Sequence, residues 1–82
     1  MDLVKLTETI IKKIVSDPES VSVKEFETEE ENTMQIEVLI SSDDMGKVIG
    51  KNGKIINSIR TIVQASSSLE DNKKVKINVD SY

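Results

Sequence analysis

The strongest constraint on the fold is a pattern of alternation. Met34, Ile36, Val38 and Ile40 are interleaved with Gln35 and Glu37. Successive side chains of a strand point to opposite faces, so this stretch reads as a strand with one apolar and one wet face. Val75, Ile77 and Val79 alternate in the same way with Lys74, Lys76 and Asn78, and Val21 and Val23 with Ser22 and Lys24. Strands of this kind need an apolar cover on one face only. Two stretches of helical period supply it. Leu3, Leu6, Thr7, Ile10, Ile11, Ile14 and Val15 form one stripe, and Ile55, Ile56, Ile59, Ile62 and Val63 form another.

The punctuation fixes the order of elements. The first helix should stop near Ser16, because Asp17-Pro18 follows and a residue before proline avoids helical dihedrals. Phe26 falls out of the Val21–Val23 parity, which predicts a bulge or an early end to that strand. Residues 28–33 are an acidic turn, and the strands on either side make an antiparallel hairpin. Ser41-Ser42-Asp43-Asp44 offers capping oxygens and acids suited to a helix start. The helix it opens is short, because Gly46 and Gly50 interrupt it. After Gly53 a longer helix runs to about Ser68, Asp71-Asn72 is a turn, and the last strand follows. The expectation is an α+β fold of order αββααβ, a three-stranded sheet covered on one face by three helices. The 82 residues make one domain, 1–82. A domain of this size buries only about 60% of its unfolded surface. Five apolar positions on the second long helix are a wide stripe for so thin a core, which leaves one or two of them for a subunit contact.

Composition removes several functions. The chain has no Cys and no His. That excludes disulfides, thiolate metal sites and a Cys nucleophile, and removes the commonest general base and metal ligand. With no paired-carboxylate motif either, an enzyme is not expected, and no cofactor is implied. The start Met1-Asp2-Leu3-Val4-Lys5 is neither a signal peptide nor a membrane span, so cytoplasmic residence without membrane attachment is the expectation. The first helix has a polar face of mixed charge, which suits a core helix and not a membrane-surface helix.

Charge is unevenly distributed. The net charge of −4 alone argues against a nucleic-acid partner. Residues 1–46, however, hold four lysines against twelve acids, a balance of −8, while residues 47–82 hold six lysines and Arg60 against three acids, a balance of +4. No acid occurs from Lys47 through Leu69. The basic stretch begins at Met45-Gly46-Lys47-Val48-Ile49-Gly50-Lys51-Asn52-Gly53-Lys54-Ile55-Ile56. Gly50 can end the first of the two helices with a positive φ, and Gly53 lets the start of the next come close to a ligand. A helix N-terminus offers free N–H groups and a positive dipole end. Lys47, Lys51 and Lys54 add charge there, with Arg60 further along. The arrangement suits a polyanion backbone. A nucleoside-triphosphate loop of the G-x-x-x-x-G-K-[ST] kind does not fit, because Gly46 and Gly50 are separated by three residues and Asn52 stands where Ser or Thr is required.

Val48-Ile49-Gly50-Lys51-Asn52-Gly53-Lys54-Ile55-Ile56 resembles the KH signature, in which a GXXG loop clamps about four backbone nucleotides. The order of elements resembles the type II KH arrangement. The whole chain is similar to the small bacterial single-KH proteins of the KhpA type. That resemblance implies single-stranded RNA binding without enzymatic activity, a role as an RNA chaperone or post-transcriptional regulator, and a part in cell elongation, division and cell shape. It also implies a homodimer, or a heterodimer with a larger KH-containing protein of the Jag type. Carried over by position, Gly50 and Gly53 shape the loop, with Lys51 and Asn52 at its tip. Val48, Ile49 and Ile55, with Ile36 or Val38, line an apolar groove for bases, and Lys47, Lys54 and Arg60 supply flanking charge. Asn52 departs from the Gln frequent in these proteins. Phe26 and Tyr82 are the only aromatic residues, so recognition rests on aliphatic surface and base-edge hydrogen bonds. The alternative is a protein-interaction adaptor on a KH fold, with RNA binding weak or vestigial.

Overall fold

Strand β2 (Thr33–Ile40) is the centre of a three-stranded mixed sheet. The computed structural model describes residues 2–70 and 72–82. β1 (Ser22–Phe26) pairs with β2 antiparallel, and β3 (Lys74–Ser81) pairs with its other side in parallel. A parallel pair cannot be joined by a tight turn and needs a crossover. Here the crossover is α2 (Met45–Ile49) followed by α3 (Lys54–Glu70), and α1 (Leu3–Ile14) precedes the hairpin. The order is αββααβ, as the patterning predicts. Asn32 closes the hairpin with φ 56°, a left-handed conformation that Asn tolerates.

The register decides which side chains meet. Ile36 lies opposite Ile77, and Val38 lies between Val23 and Val79. All but Val79, which is half-buried and packs against it, form the core together with Ile40, with Leu3 and Ile11 of α1, Val48 of α2, and Ile56, Ile59 and Val63 of α3. The polar groups inside are satisfied. The Thr7 hydroxyl donates to the Leu3 carbonyl at 2.8 Å, and among the described residues no buried side-chain nitrogen or oxygen lacks a partner. α1 is capped by Asp2, whose carboxylate accepts the Lys5 N–H at 3.1 Å, and it ends at Val15 in extended backbone ahead of Asp17-Pro18.

Three local expectations need correction. Phe26 makes neither a bulge nor an early end: it pairs with Gln35 in an unbroken register. Its parity is obeyed in another way, since it points to the wet face and is 51% exposed. α3 runs past Ser68 to Glu70. Of the expected turn, Asp71 lies outside the described residues, and Asn72 takes φ 53°. The wide stripe of α3 divides: Ile56, Ile59 and Val63 are buried, whereas Ile55 and Ile62 are exposed.

The third correction concerns Ser41 to Asp44. Neither Ser41 nor Asp44 caps a helix with its side chain. Asp44 is instead buried, and its carboxylate accepts the Ser16 N–H at 2.9 Å and the Asp17 N–H at 3.1 Å. It thereby ties the exit of α1 to the start of α2. Lys47 completes the cluster, with its ammonium 3.8 Å from Asp44 and donating to the Ser16 hydroxyl. The Ser16 backbone N–H is the main cause that holds the Asp44 carboxyl below the ordinary aspartate range, against the opposing effect of burial; the Asp17 N–H and Lys47 help it. A carboxyl held low contributes its stability in full above about pH 4 and loses it as pH falls through the lower folded value. Asp44→Asn turns an amide NH2 toward one of the two backbone donors. Its melting temperature is expected to lie below that of the wild type at neutral pH. The gap should close as thermal denaturation is repeated toward about pH 2.

Candidate nucleic-acid interface

The loop between α2 and α3 is built by three residues with positive φ, Gly50, Asn52 and Gly53. Gly50 ends α2, its N–H donating to the Gly46 carbonyl at 2.9 Å. It takes φ 75° and ψ 175°, a region open essentially to glycine alone. Space forbids a side chain there as well: a Cβ on Gly50 would sit 2.7 Å from Ile55 Cγ1. Lys51, Asn52 and Gly53 then form a tight 3-10 turn, closed by the Gly53 N–H on the Gly50 carbonyl at 3.2 Å. Asn52 is left-handed at φ 56° and ψ 27°, and Gly53 has φ 73°. Asn is among the residues enriched in that conformation, so Asn in place of Gln suits the turn. A Cβ on Gly53 would meet only ordinary contacts, the nearest at 3.6 Å. The result is a tip on which Lys51 and Asn52 are both exposed.

The cations around the tip are of two kinds. The side chains of Lys51 and Lys54 are exposed and have no ion-pair or hydrogen-bond partner among the described residues. Lys54 opens α3, whose first-turn N–H groups and dipole end face the same region. Lys47 is committed to Asp44 and Ser16. Arg60 is committed as well, donating from Nε and Nη2 to the Ile77 carbonyl at 3.2 and 2.9 Å and from Nη1 to Asn57 Oδ1 at 3.1 Å. Glu29, Glu30 and Glu31 precede β2, whereas the loop follows its end, so about 23 Å of strand separates them. Lys76, paired with Glu30 at 2.7 Å, holds that carboxyl below its ordinary range.

The expected apolar lining is only partly at the surface. Val48, Ile36 and Val38 are core residues, with 0%, 0% and 1% of their surface exposed, so their side chains line no groove. Their place in a groove was what the family resemblance implied; the alternation of β2 already puts Ile36 and Val38 on the face that the helices cover, and Val48 turns inward from α2. Ile49 is half-buried and Ile55 is exposed, both beside Gly50. The patterning gave no sign of Gln64. It lies one turn beyond Arg60, and with Arg60, Thr61, Ala65 and Val75 it lines an open groove of about 490 Å³ between α3 and β3. Besides Ser68 on its own helix, its partners are Lys73, just before β3, and Val75 within it, and nothing local in the sequence announces those two. Among the described residues, no group of His, Cys, Asp or Glu is placed to hold a metal ion, and no helix is long and apolar enough to cross a membrane.

Residues 4–79 match the family model described as KhpA/KhpB, KH domain. The RNA-binding protein KhpA of Clostridium perfringens is 44% identical over 75 residues, covering 92% of this chain and 96% of that protein. KhpA of Oceanobacillus iheyensis is 39% identical over 74 residues, 90% of this chain and 95% of that one. KhpA of Thermotoga maritima is 37% identical over 75 residues, 92% and 95% of the two. Among solved structures, Aquifex aeolicus Era bound to GDP and AlF4 superposes with a TM-score of 0.70 at 16% identity, over 96% of this chain and 29% of Era. Era in complex with MgGDPNP and a segment of 16S ribosomal RNA gives a TM-score of 0.68 at 17% identity, over the same 96% and 29%. At such identities the likeness to Era is one of fold.

The two loop glycines should differ in their tolerance of a side chain. Gly50→Ala meets both a forbidden conformation and Ile55, and should cost about 1–3 kcal/mol. Gly53→Ala meets only the left-handed penalty, roughly 1 kcal/mol. Urea denaturation of the two variants measures the difference.

Proposed function

The chain belongs to the KhpA/KhpB KH-domain family, and from that membership we propose that it binds single-stranded RNA at the Gly50–Gly53 loop. The observation that carries this reading is the loop tip itself. Lys51 and Asn52 are held outward between two positive-φ glycines, with Lys54 unpaired at the start of α3. Phosphates would sit at the tip, against Lys51, Lys54 and the first-turn N–H groups. The exposed surfaces of Ile49 and Ile55 would take the bases without aromatic stacking. Lys47 and Arg60 contribute less than their charge suggests, because each already has partners. The role we assign is that of a cytoplasmic RNA chaperone or post-transcriptional regulator, acting with a partner protein.

The partner surface we assign is the outer side of α3. Ile55, Ile62 and Leu69 are exposed there by 38%, 50% and 87%, at intervals of seven residues. A seven-residue apolar repeat keeps to one side of a helix, where the same stripe of a second helix can cover it. We therefore assign it to a second copy of this chain, with a larger Jag-type KH protein as the other occupant. Two contacts on one assembly raise the effective RNA affinity without any new interaction. The same stripe favours the adaptor reading, in which this face is the whole function.

Fluorescence anisotropy with an unstructured RNA of about a dozen nucleotides separates the two readings. The wild type should bind, with log K falling against log salt by about 1.4, or roughly 0.7 for each of two free cations. Lys51→Asp with Asn52→Asp should abolish binding while circular dichroism shows an intact fold. An adaptor would show no RNA binding in either protein. Ile62→Glu should leave the loop untouched and shift sedimentation at tens of micromolar toward a monomer; a wild type that is already monomeric removes the self-association.

A further inference from the structure

Backbone groups along β3 face its two sides in alternation. The Lys74 N–H donates to the Asn32 carbonyl at 2.8 Å and the Tyr82 N–H to the Ile40 carbonyl at 3.2 Å, so the even-numbered residues turn their N–H groups toward β2. Those of Val75, Ile77 and Val79 therefore face outward, with their carbonyls. β3 is an edge strand of the sheet. An open row of outward N–H and C=O groups is a template on which another strand can pair.

Side chains of α3 take the start of that row: the Lys73 carbonyl, the Val75 N–H and the Ile77 carbonyl. Gln64 Nε2 donates to the Lys73 carbonyl at 2.9 Å, and Gln64 Oε1 accepts the Val75 N–H at 2.8 Å. The carbonyl before and the N–H after a given residue are the two groups that a parallel neighbour strand engages. The side-chain amide of Gln64 thus makes, opposite Lys74, the pair of bonds that a backbone residue of a fourth strand would make. The Ser67 hydroxyl gives the Lys73 carbonyl a second donor at 2.8 Å. One turn earlier on α3, the Arg60 guanidinium takes the Ile77 carbonyl with two N–H groups, and Asn57 holds its remaining arm.

We propose that Gln64 is a surrogate strand residue that closes the first half of the β3 edge, with Arg60 as a second fastening, and that the pairing it prevents is with a sheet edge of a second copy of this chain. Wherever one copy meets another, the meeting is then confined to surfaces other than this edge. The inference stands on the hydrogen bonds of β3 and is independent of RNA binding. Arg60 in this role is a structural fastening; its loss changes the edge first.

Amide hydrogen exchange followed residue by residue tests the closure. In the wild type the Val75 amide should be protected although it faces away from the sheet. In Gln64→Ala it should exchange roughly tenfold faster, while Lys74 and Lys76, which face β2, keep their protection and show that the fold is intact. Gln64→Glu keeps the acceptor for Val75 and loses the donor to Lys73, so Val75 should stay protected. Sedimentation of Arg60→Ala combined with Gln64→Ala should show a larger species than the wild type at the same concentration. An unprotected Val75 amide in the wild type overturns the proposal, as does unchanged sedimentation of the double variant.

Discussion

The parallel pairing of β2 with β3 is the constraint from which the rest of the structure follows. Parallel neighbours cannot be joined directly, so the chain must leave the end of β2 and return to the start of β3. α2, the Gly50 loop and α3 are that return path. The loop consequently sits beyond the end of β2, and α3 runs back along the outer side of β3, where Arg60, Gln64 and Ser67 meet its backbone. Asp44 makes the departure point definite. Two backbone N–H groups from the end of α1 converge on its carboxylate, so α2 starts at a position fixed by a distant part of the chain.

Net charge is a poor guide to such a molecule, because what a phosphate meets is local. Twelve of the fifteen acids precede Lys47, and the Glu29–Glu31 turn is held at the far end of β2 from the loop. At the loop itself the number of cations overstates the available charge. Lys47 neutralises a buried carboxylate, and Arg60 is spread over a carbonyl and an amide. Lys51 and Lys54 remain, together with the start of α3. Exposed charges a Debye length or more apart are largely screened at physiological salt, so the acids at the distant turn weaken these two only a little.

Much of this was legible in the sequence because it is periodic. The alternation of Met34 to Ile40 and of Val75 to Val79 gave two strands on one apolar face, and the Ile-rich stripes gave the covering helices. Proline and glycine gave the breaks, and the order of elements followed. What escaped was whatever depends on a partner distant in the chain. Asp44 looks like a helix cap until Ser16 and Asp17 are seen beside it. Gln64 looks like a solvent-facing helix residue until β3 lies alongside. Val48 adjoins the loop in sequence, yet the turn of α2 points it into the core. Phe26 was misread for a related reason: parity said that it could not face the core, and pairing with Gln35 let the strand continue with Phe26 on the wet side.

α3 explains how so small a domain could hold several roles without conflict. A helix of seventeen residues presents separate longitudinal faces, and each face here has its own chemistry. Ile56, Ile59 and Val63 bury against the sheet; Arg60, Gln64 and Ser67 fasten the edge of β3; Ile55, Ile62 and Leu69 stay in water on the outer side. The N-terminal end, as distinct from any face, joins the Gly50 loop. Ile55 is the one residue shared between two of these regions, since it heads the outer stripe and also packs against Gly50. Ile55 is therefore the side chain through which contact at the outer stripe bears on the loop.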